Sequence, residues 1–308
     1  MTGEMQMAQK KQVSMTGRLM KYILQGLHVL PDLTNERAYQ RAVTASQKPY
    51  RLAFLNRLLF GATEYNGRND VLEISPKYVD DRQLIFYLHG GGYWDQPSIM
   101  HYRLLKKLAD QTQHRIIMPI YPKAPQHQAQ ETIQWTKEAF LETLKKEHVS
   151  AEQIVLMGDS AGAGLALSLL QQLRDAKLAL PKQLILISPW FDISDTNHEM
   201  KAVQPFDPML EIAVLDLMAA GYQGELDLDD PLISPLYADF DNMPAINVIT
   251  GTYDVLHPDA VKFQELADDG GWDVHTTIYP EMYHDFPEIP IPEGKAAIQQ
   301  MVQLIKER

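Results

Sequence analysis

The chain has 308 residues, 45% hydrophobic and 22% charged, an ordinary globular composition without repeats or low-complexity tracts. Its net charge of −12 argues against a nucleic-acid surface, which needs clustered Lys and Arg. The absence of cysteine excludes disulfides, thiolate catalysis and Cys-ligated zinc or iron–sulfur sites, and fits a cytoplasmic protein.

The first sixty residues hold two amphipathic helical stretches, 18–30 and 50–60. The apolar run at 22–30 is broken by Gln25, Gly26 and His28 and lacks a small-residue cleavage site, so it makes no signal peptide. No run approaches the roughly 18 apolar residues of a membrane-spanning helix. The basic residues Arg18, Lys21, Arg51 and Arg57 leave a surface-binding role for these stretches as one reading.

From about residue 71 the pattern alternates. Strand-like runs lie at 71–74, 84–88, 116–120, 154–157, 184–187, 246–250 and 274–279. Helix-period segments lie at 102–111, 132–146, 161–173, 260–267 and 295–306. This alternation predicts an α/β fold: a mostly parallel sheet with helices on both faces and ligands beyond the carboxyl ends of the strands. A further helical stretch, 208–220, is followed by a Pro- and Asp-rich segment outside the alternation.

The strand at 84–88 ends in His89-Gly90-Gly91-Gly92-Tyr93-Trp94. Three consecutive glycines are costly to order. They suit a loop whose backbone N–H groups approach a substrate closely, as a site for a developing oxyanion requires. A phosphate loop is a poor match, because no Walker pattern occurs and Leu167 stands where a third glycine would complete G-x-G-x-x-G. The strand at 154–157 runs into Gly158-Asp159-Ser160-Ala161-Gly162 and then a small-residue helix. Strand, sharp turn and helix form the context in which G-x-S-x-G presents a nucleophilic serine. Serine is weak at neutral pH and needs a base and a group to orient that base.

Three of the histidines that follow are the main candidates. His257 precedes Pro258, His275 lies within the last strand, and His284 follows that strand after a short loop. The loop position favours His284 as the base. Asp254, ending the strand at 246–250 through Gly251-Thr252-Tyr253, is the expected acid in the order Ser–Asp–His. Asp259 reads as the N-cap of the helix beginning near Ala260. Asp285 is a rival acid, but adjacent side chains seldom form the required hydrogen bond. Asp159 reads as a structural hydrogen-bonder.

Together, His89–Gly92 and Gly158–Gly162 resemble the hormone-sensitive-lipase-like family of α/β-hydrolases, with further matches at Ile187-Ser188-Pro189-Trp190, Gly251–Asp254 and Tyr283–Phe286. The resemblance covers about residues 70 to 308 and is far more specific than either motif alone. It implies an α/β-hydrolase core at 61–195 and 241–308, and a helical cap made of 1–60 and 196–240. It implies a serine carboxylesterase for a small ester, using Ser160, His284 and Asp254, with the N–H groups of Gly91, Gly92 and Ala161 as oxyanion donors. Tyr93, Trp94 and Trp190 would narrow the pocket to short acyl chains, or else pack the cap on the sheet. The family more often has Gly where Asp285 stands, and Pro258 stands where it often has a second acid. No metal or cofactor is expected, no nucleic-acid partner and no stable membrane insertion; a homodimer is allowed. Two alternatives stay open: an arylformamidase-like amide hydrolase, similar in its H-G-G-x-W loop, and a ligand-binding receptor on the same fold.

Overall fold

The computed structural model describes residues 5–8, 13–27, 33–78 and 84–307. Nine strands form one sheet: β1 (Gln6–Met7), β2 (Ala62–Glu64), β3 (Val71–Ile74), β4 (Leu84–Leu88), β5 (Arg115–Pro119), β6 (Ile154–Asp159), β7 (Gln183–Ile187), β8 (Ile246–Gly251) and β9 (Val274–Tyr279). Their order is β1-β9-β8-β7-β6-β4-β5-β3-β2. Pairing is parallel from β1 to β5, and antiparallel at the β5–β3 and β3–β2 pairs. The α/β architecture expected from the alternation is therefore the one observed.

A parallel strand covered on both faces must be apolar throughout. In β4, Leu84, Phe86 and Leu88 enter one core cluster while Ile85 and Tyr87 enter the other. The first cluster lies under α5 (Ala129–Glu147), α6 (Ser160–Asp175), α8 (Ile212–Tyr222) and α9 (His257–Gly270). The second lies under α4 (Ile99–Thr112) and α10 (Pro292–Glu307). A short helix, α7 (Met200–Val203), precedes α8.

At the N-terminus, α1 (Met15–Leu27), α2 (Glu36–Ser46) and α3 (Phe54–Phe60) divide between the two sides. α2 joins the first cluster through Tyr39, Ala42 and Val43, whereas Leu24 of α1 and Phe60 of α3 belong with the second. The stretch expected at 18–30 begins three residues earlier, and positions 28–30 lie outside the described residues. The helix expected from 208 starts at Ile212, because Asp207 accepts from the Met209 and Leu210 N–H groups and holds a turn there. Sequence periodicity missed α2, which buries no residue fully; its signal is the cap, Asn35, whose side chain accepts from the Arg37 and Ala38 N–H groups. It also missed β1 and β2, which are too short to show a period.

Backbone packs tightly where β6 turns into α6. A Cβ on Gly162 would fall 2.1 Å from the Leu88 carbonyl oxygen and 2.6 Å from that of His89. A Cβ on Gly158 would fall 2.5 Å from the Gly162 carbonyl oxygen. These obstacles are backbone and cannot rotate away. Gly162→Ala should therefore destabilise the fold by about 2 kcal/mol or more, as overpacking does, despite alanine's better helix propensity. A thermal melt of the variant checks this, and an unchanged or raised Tm contradicts the close approach.

Candidate active site

Ser160 sits at the β6–α6 turn with φ +52°, a left-handed conformation that is unusual for a residue other than glycine. Such strain persists only where the surroundings enforce it. Here the enforcement comes from both flanks, since Gly158 and Gly162 let strand and helix close to contact. The side chain of the intervening Asp159 holds the neighbouring loop. Its Oδ1 accepts from the Tyr87 hydroxyl (2.6 Å) and its Oδ2 from the Gly90 N–H (2.9 Å). His101 Nε2 lies 3.2 Å from the same Oδ2. Asp159 is thus the structural hydrogen-bonder expected of it.

The glycine loop is shaped from below and above. Gly91 and Gly92 have φ of +106° and +59°, and Tyr93 follows at +66°. A Cβ on Gly90 would strike Asp159, and one on Gly92 would lie 2.2 Å from Met218 Sδ. His89 does not point to a substrate role. Its Nδ1 bonds the Gly90 carbonyl oxygen (2.7 Å), its ring stacks on Tyr121 (4.6 Å between centroids), and Lys123 Nζ reaches Nε2 (3.1 Å). Burial pushes both His89 and Lys123 well below their usual pKa values.

The loops after β8 and β9 bring Asp254 and His284 together. His284 Nδ1 stands 3.1 Å from Asp254 Oδ1, with both side chains buried. The Leu256 N–H also bonds that oxygen (2.9 Å). Asp207, from the segment before α8, accepts from the Val255 N–H (2.8 Å) and so braces the Asp254 loop. Burial and the nearby Asp254 lift Asp207 to about 7.

Two sequence expectations are corrected. Asp259 does not cap a helix: α9 begins at His257 with Pro258 in its first turn, so Asp259 already lies inside it, buried and accepting from Asn197 Nδ2 (2.8 Å). Asp285 does contact its neighbour: its Oδ2 lies 3.1 Å from His284 Nε2. The physical reason is a left-handed backbone at Asp285, φ +48°, which folds the carboxylate back over the preceding ring. That conformation also accounts for a glycine elsewhere in such loops, and aspartate is among the few other residues that tolerate it. The Asp285 N–H donates to the Ser188 hydroxyl (3.1 Å).

His284 is therefore gripped by a carboxylate at each ring nitrogen. Burial alone would lower its pKa, but the charges of Asp285 and Asp254 prevail and hold it well above the ordinary value. Burial lifts Asp285 itself to about 6. The other histidines are placed differently. His257 Nδ1 lies 3.4 Å from Thr250 Oγ1, and His275 pairs with Asp273 at an exposed position.

The three aromatic residues expected to line the pocket are fully buried. Tyr93 stacks on Tyr222 with centroids 3.6 Å apart and on Trp190 at 5.9 Å. Trp94 Nε1 donates to the Met218 carbonyl oxygen (3.1 Å), and Tyr39 of α2 packs edge-on against its ring. Trp190 Nε1 donates to Asp195 Oδ1 (3.0 Å). A cavity of about 640 Å³ lies between α2 and the outer face of α8, lined by Leu33, Tyr39, Leu217 and Gly221 among others; none of the residues above faces it except through Tyr39.

Sequence reasoning missed Asp207, Met218 and the inward turn of Asp285. Asp207 and Met218 act across a long chain separation and carry no local pattern, and the turn of Asp285 rests on a left-handed backbone that the sequence does not announce. His101, Asp159 and Glu288 come within 4.8 Å of one another. Burial raises Glu288 to about 8, and the charges of Glu288 and Asp159 raise His101 to about 10 against its burial.

A model of the α/β-hydrolase-fold family matches residues 85–288. An esterase of Acinetobacter venetianus is 32% identical over 224 residues, which is 72% of this chain and 74% of that protein. An acetyl-hydrolase of Streptomyces hygroscopicus is 32% identical over 228 residues, 73% of this chain and 76% of that one. The solved structure of an esterase from the bacterial hormone-sensitive lipase family aligns with a TM-score of 0.75 at 26% identity, covering 88% of this chain and 97% of its own.

The grip on His284 has a measurable consequence. Removing one of the two charges should lower the imidazole pKa by about one unit or more, the usual effect of an opposite charge at this range. Asp285→Asn keeps the shape and removes the charge. An NMR titration of the His284 ring should show that drop relative to the unaltered protein, and an equal pKa in both would mean that the carboxylate does not act on Nε2.

Proposed function

The chain belongs to the α/β-hydrolase fold family, among the hormone-sensitive-lipase-like carboxylesterases, and on that premise we propose how its own residues cleave an ester. Ser160 Oγ attacks the ester carbonyl carbon while His284 Nε2 takes its proton. Asp254 accepts from the other ring nitrogen, fixing the tautomer and stabilising the imidazolium. The N–H groups of Gly91, Gly92 and Ala161 hold the oxyanion. His284 then protonates the departing alcohol, and a water activated by the same ring hydrolyses the acyl-enzyme.

The observation that carries this reading is the buried His284–Asp254 contact at 3.1 Å on the two loops beyond β8 and β9. It lies on the same edge of the sheet as the left-handed Ser160 turn. Nε2 can accept the serine proton only when it carries no proton and no partner occupies its lone pair, so the Asp285 contact must open during turnover. The esterase and acetyl-hydrolase relatives do not favour the amide-hydrolase or binding-only alternatives.

Ser160→Ala should remove turnover, since losing a triad nucleophile lowers kcat on the order of a million-fold. Asp254→Asn should lower kcat roughly ten-thousand-fold through the wrong tautomer, whereas Asp259→Asn should change it little. Steady-state kinetics on 4-nitrophenyl acetate, with circular dichroism to verify folding, tests these together. A Ser160→Ala enzyme retaining more than about a hundredth of the activity would exclude Ser160 as nucleophile. A crippled Asp259→Asn beside a mild Asp254→Asn would reassign the acid.

The acyl chain is short on this reading. Met218 of α8 presses on Gly92, and Trp94 is pinned to the same helix, so α8 sits low over the oxyanion loop. α2, through Tyr39, and α8 act together as the cap. Each methylene that fits would gain roughly 0.8 kcal/mol, so a rise in kcat/KM with length would continue until the wall is met. Across 4-nitrophenyl acetate, butyrate, octanoate and palmitate the maximum should fall at acetate or butyrate; a maximum at octanoate or beyond would show that α8 leaves an open acyl channel.

A further inference from the structure

The molecule keeps an apolar face on its outside. On α1, Met15, Leu19, Tyr22, Ile23 and Leu27 recur at helical spacing and are between 45% and 87% exposed. On α3, Phe54, Leu55, Leu58 and Leu59 are between 50% and 76% exposed. α1 packs on α10 and α3 on α4, and α4 and α10 pack on each other. The two exposed rows therefore look out from one layer of the fold. Monomeric soluble proteins seldom leave so many large apolar side chains together in water.

The charge around this face is opposite to that of the rest. The first 60 residues carry nine Lys and Arg against three Asp and Glu, while the other 248 carry nineteen against thirty-seven. Lys48, Arg51 and Arg57 flank or belong to α3 and are exposed; Arg18 is exposed on α1. A second copy of the chain is a poor occupant, because a two-fold contact sets the same patch against itself and would bring basic groups together. An amphipathic helix with a basic flank and exposed Leu, Phe and Tyr suits the headgroup layer of an anionic bilayer. Among the described residues no helix is long and apolar enough to cross a membrane, so the contact is one of lying on the surface.

We propose that the exposed apolar rows of α1 and α3, with their basic flank, dock this protein on the surface of an anionic lipid bilayer. The face adjoins the chemistry. Lys21 of α1 lies over the ring of Tyr253 at 4.4 Å, next to Asp254, and Arg18 pairs with Glu281 in the loop that leads to His284. Docking there sets the loops that carry Asp254 and His284 close to the lipid, where esters of low water solubility concentrate.

The test measures binding and does not depend on the reaction at Ser160. The full chain is floated with vesicles of phosphatidylglycerol and, separately, of phosphatidylcholine. Partition onto phosphatidylglycerol should exceed that onto phosphatidylcholine by about tenfold or more and fall in high salt. Phe54→Ser with Leu58→Ser, and independently Arg51→Glu, should each reduce it several-fold. Because these side chains are exposed, hydrolysis of soluble 4-nitrophenyl acetate should stay unchanged and reports folding. Failure to float with either vesicle, or equal floating with both, overturns the proposal. So does light scattering that shows a dimer dispersed by Phe54→Ser with Leu58→Ser, which would make the face a self-contact.

Discussion

Everything at this site hangs on one close approach, that of the Gly162 backbone to the carbonyl oxygens of Leu88 and His89. It places the first turn of α6 directly against the end of β4. Neighbouring parallel strands stand about 4.8 Å apart, so a loop leaving β4 and a turn leaving β6 are forced into contact unless side chains intervene. Glycine at 158, 162 and 90 removes those side chains. What remains is the Asp159 carboxylate, which fills the gap with hydrogen bonds to the Gly90 N–H and the Tyr87 hydroxyl. The serine turn and the glycine loop are packed directly on each other for this reason. On the proposed mechanism, donors set in this way would avoid reorganisation at the moment charge develops.

Around that contact the protein gathers acids. Asp254, Asp159 and Glu288 are buried and Asp285 is nearly so, each against His284 or His101, while the buried Asp207 sits behind the Asp254 loop. So many charges cannot all be ionised in a medium of low polarity. The outcome is a division: Asp254 is held below its ordinary pKa because the imidazolium of His284 outweighs burial, whereas burial lifts Asp207 to about 7 and Glu288 to about 8. Of the two, Asp254 contacts the His284 ring, while Asp207 bonds only backbone N–H groups. Asp285 lies between these cases: burial raises it to about 6 while its carboxylate stays 3.1 Å from His284 Nε2.

The helices outside the core serve the two faces of the sheet differently. α2 and α8 close over the glycine loop, with the Trp94 indole bonded to the Met218 carbonyl oxygen and wedged against Gly221 and Tyr39. α1 and α3 instead cover α10 and α4 with one side each and leave the other apolar side uncovered. A helix buried on one face needs only one apolar stripe. Among the described residues the exposed stripe on α1 covers no core, and on the docking proposal it is the side that meets the bilayer.

Much of the fold was legible in the residues because parallel strands and their covering helices impose periods on the chain. Val71–Ile74, Leu84–Leu88 and Val274–Tyr279 were read with their observed ends. The serine turn was legible too, since its glycines answer a local steric demand at Ser160. The two-residue β1 and the sparsely apolar α2 were not, as neither shows a period. Of the site, the order Ser160, Asp254, His284 follows from positions at strand ends, which is a property of the chain alone. Which acids touch the histidine is not. Asp259 sits one residue from Pro258 and looked like a cap; the packing of α9 turned it to Asn197. Asp285 looked remote from Nε2 until a left-handed backbone brought it there. Asp207 reached the Asp254 loop from 47 positions away only because the segment before α8 folds across it (Asp207 to Asp254). Sequence pattern records what each residue does to its neighbours along the chain, while burial and charge coupling depend on groups that only folding brings within a few ångströms.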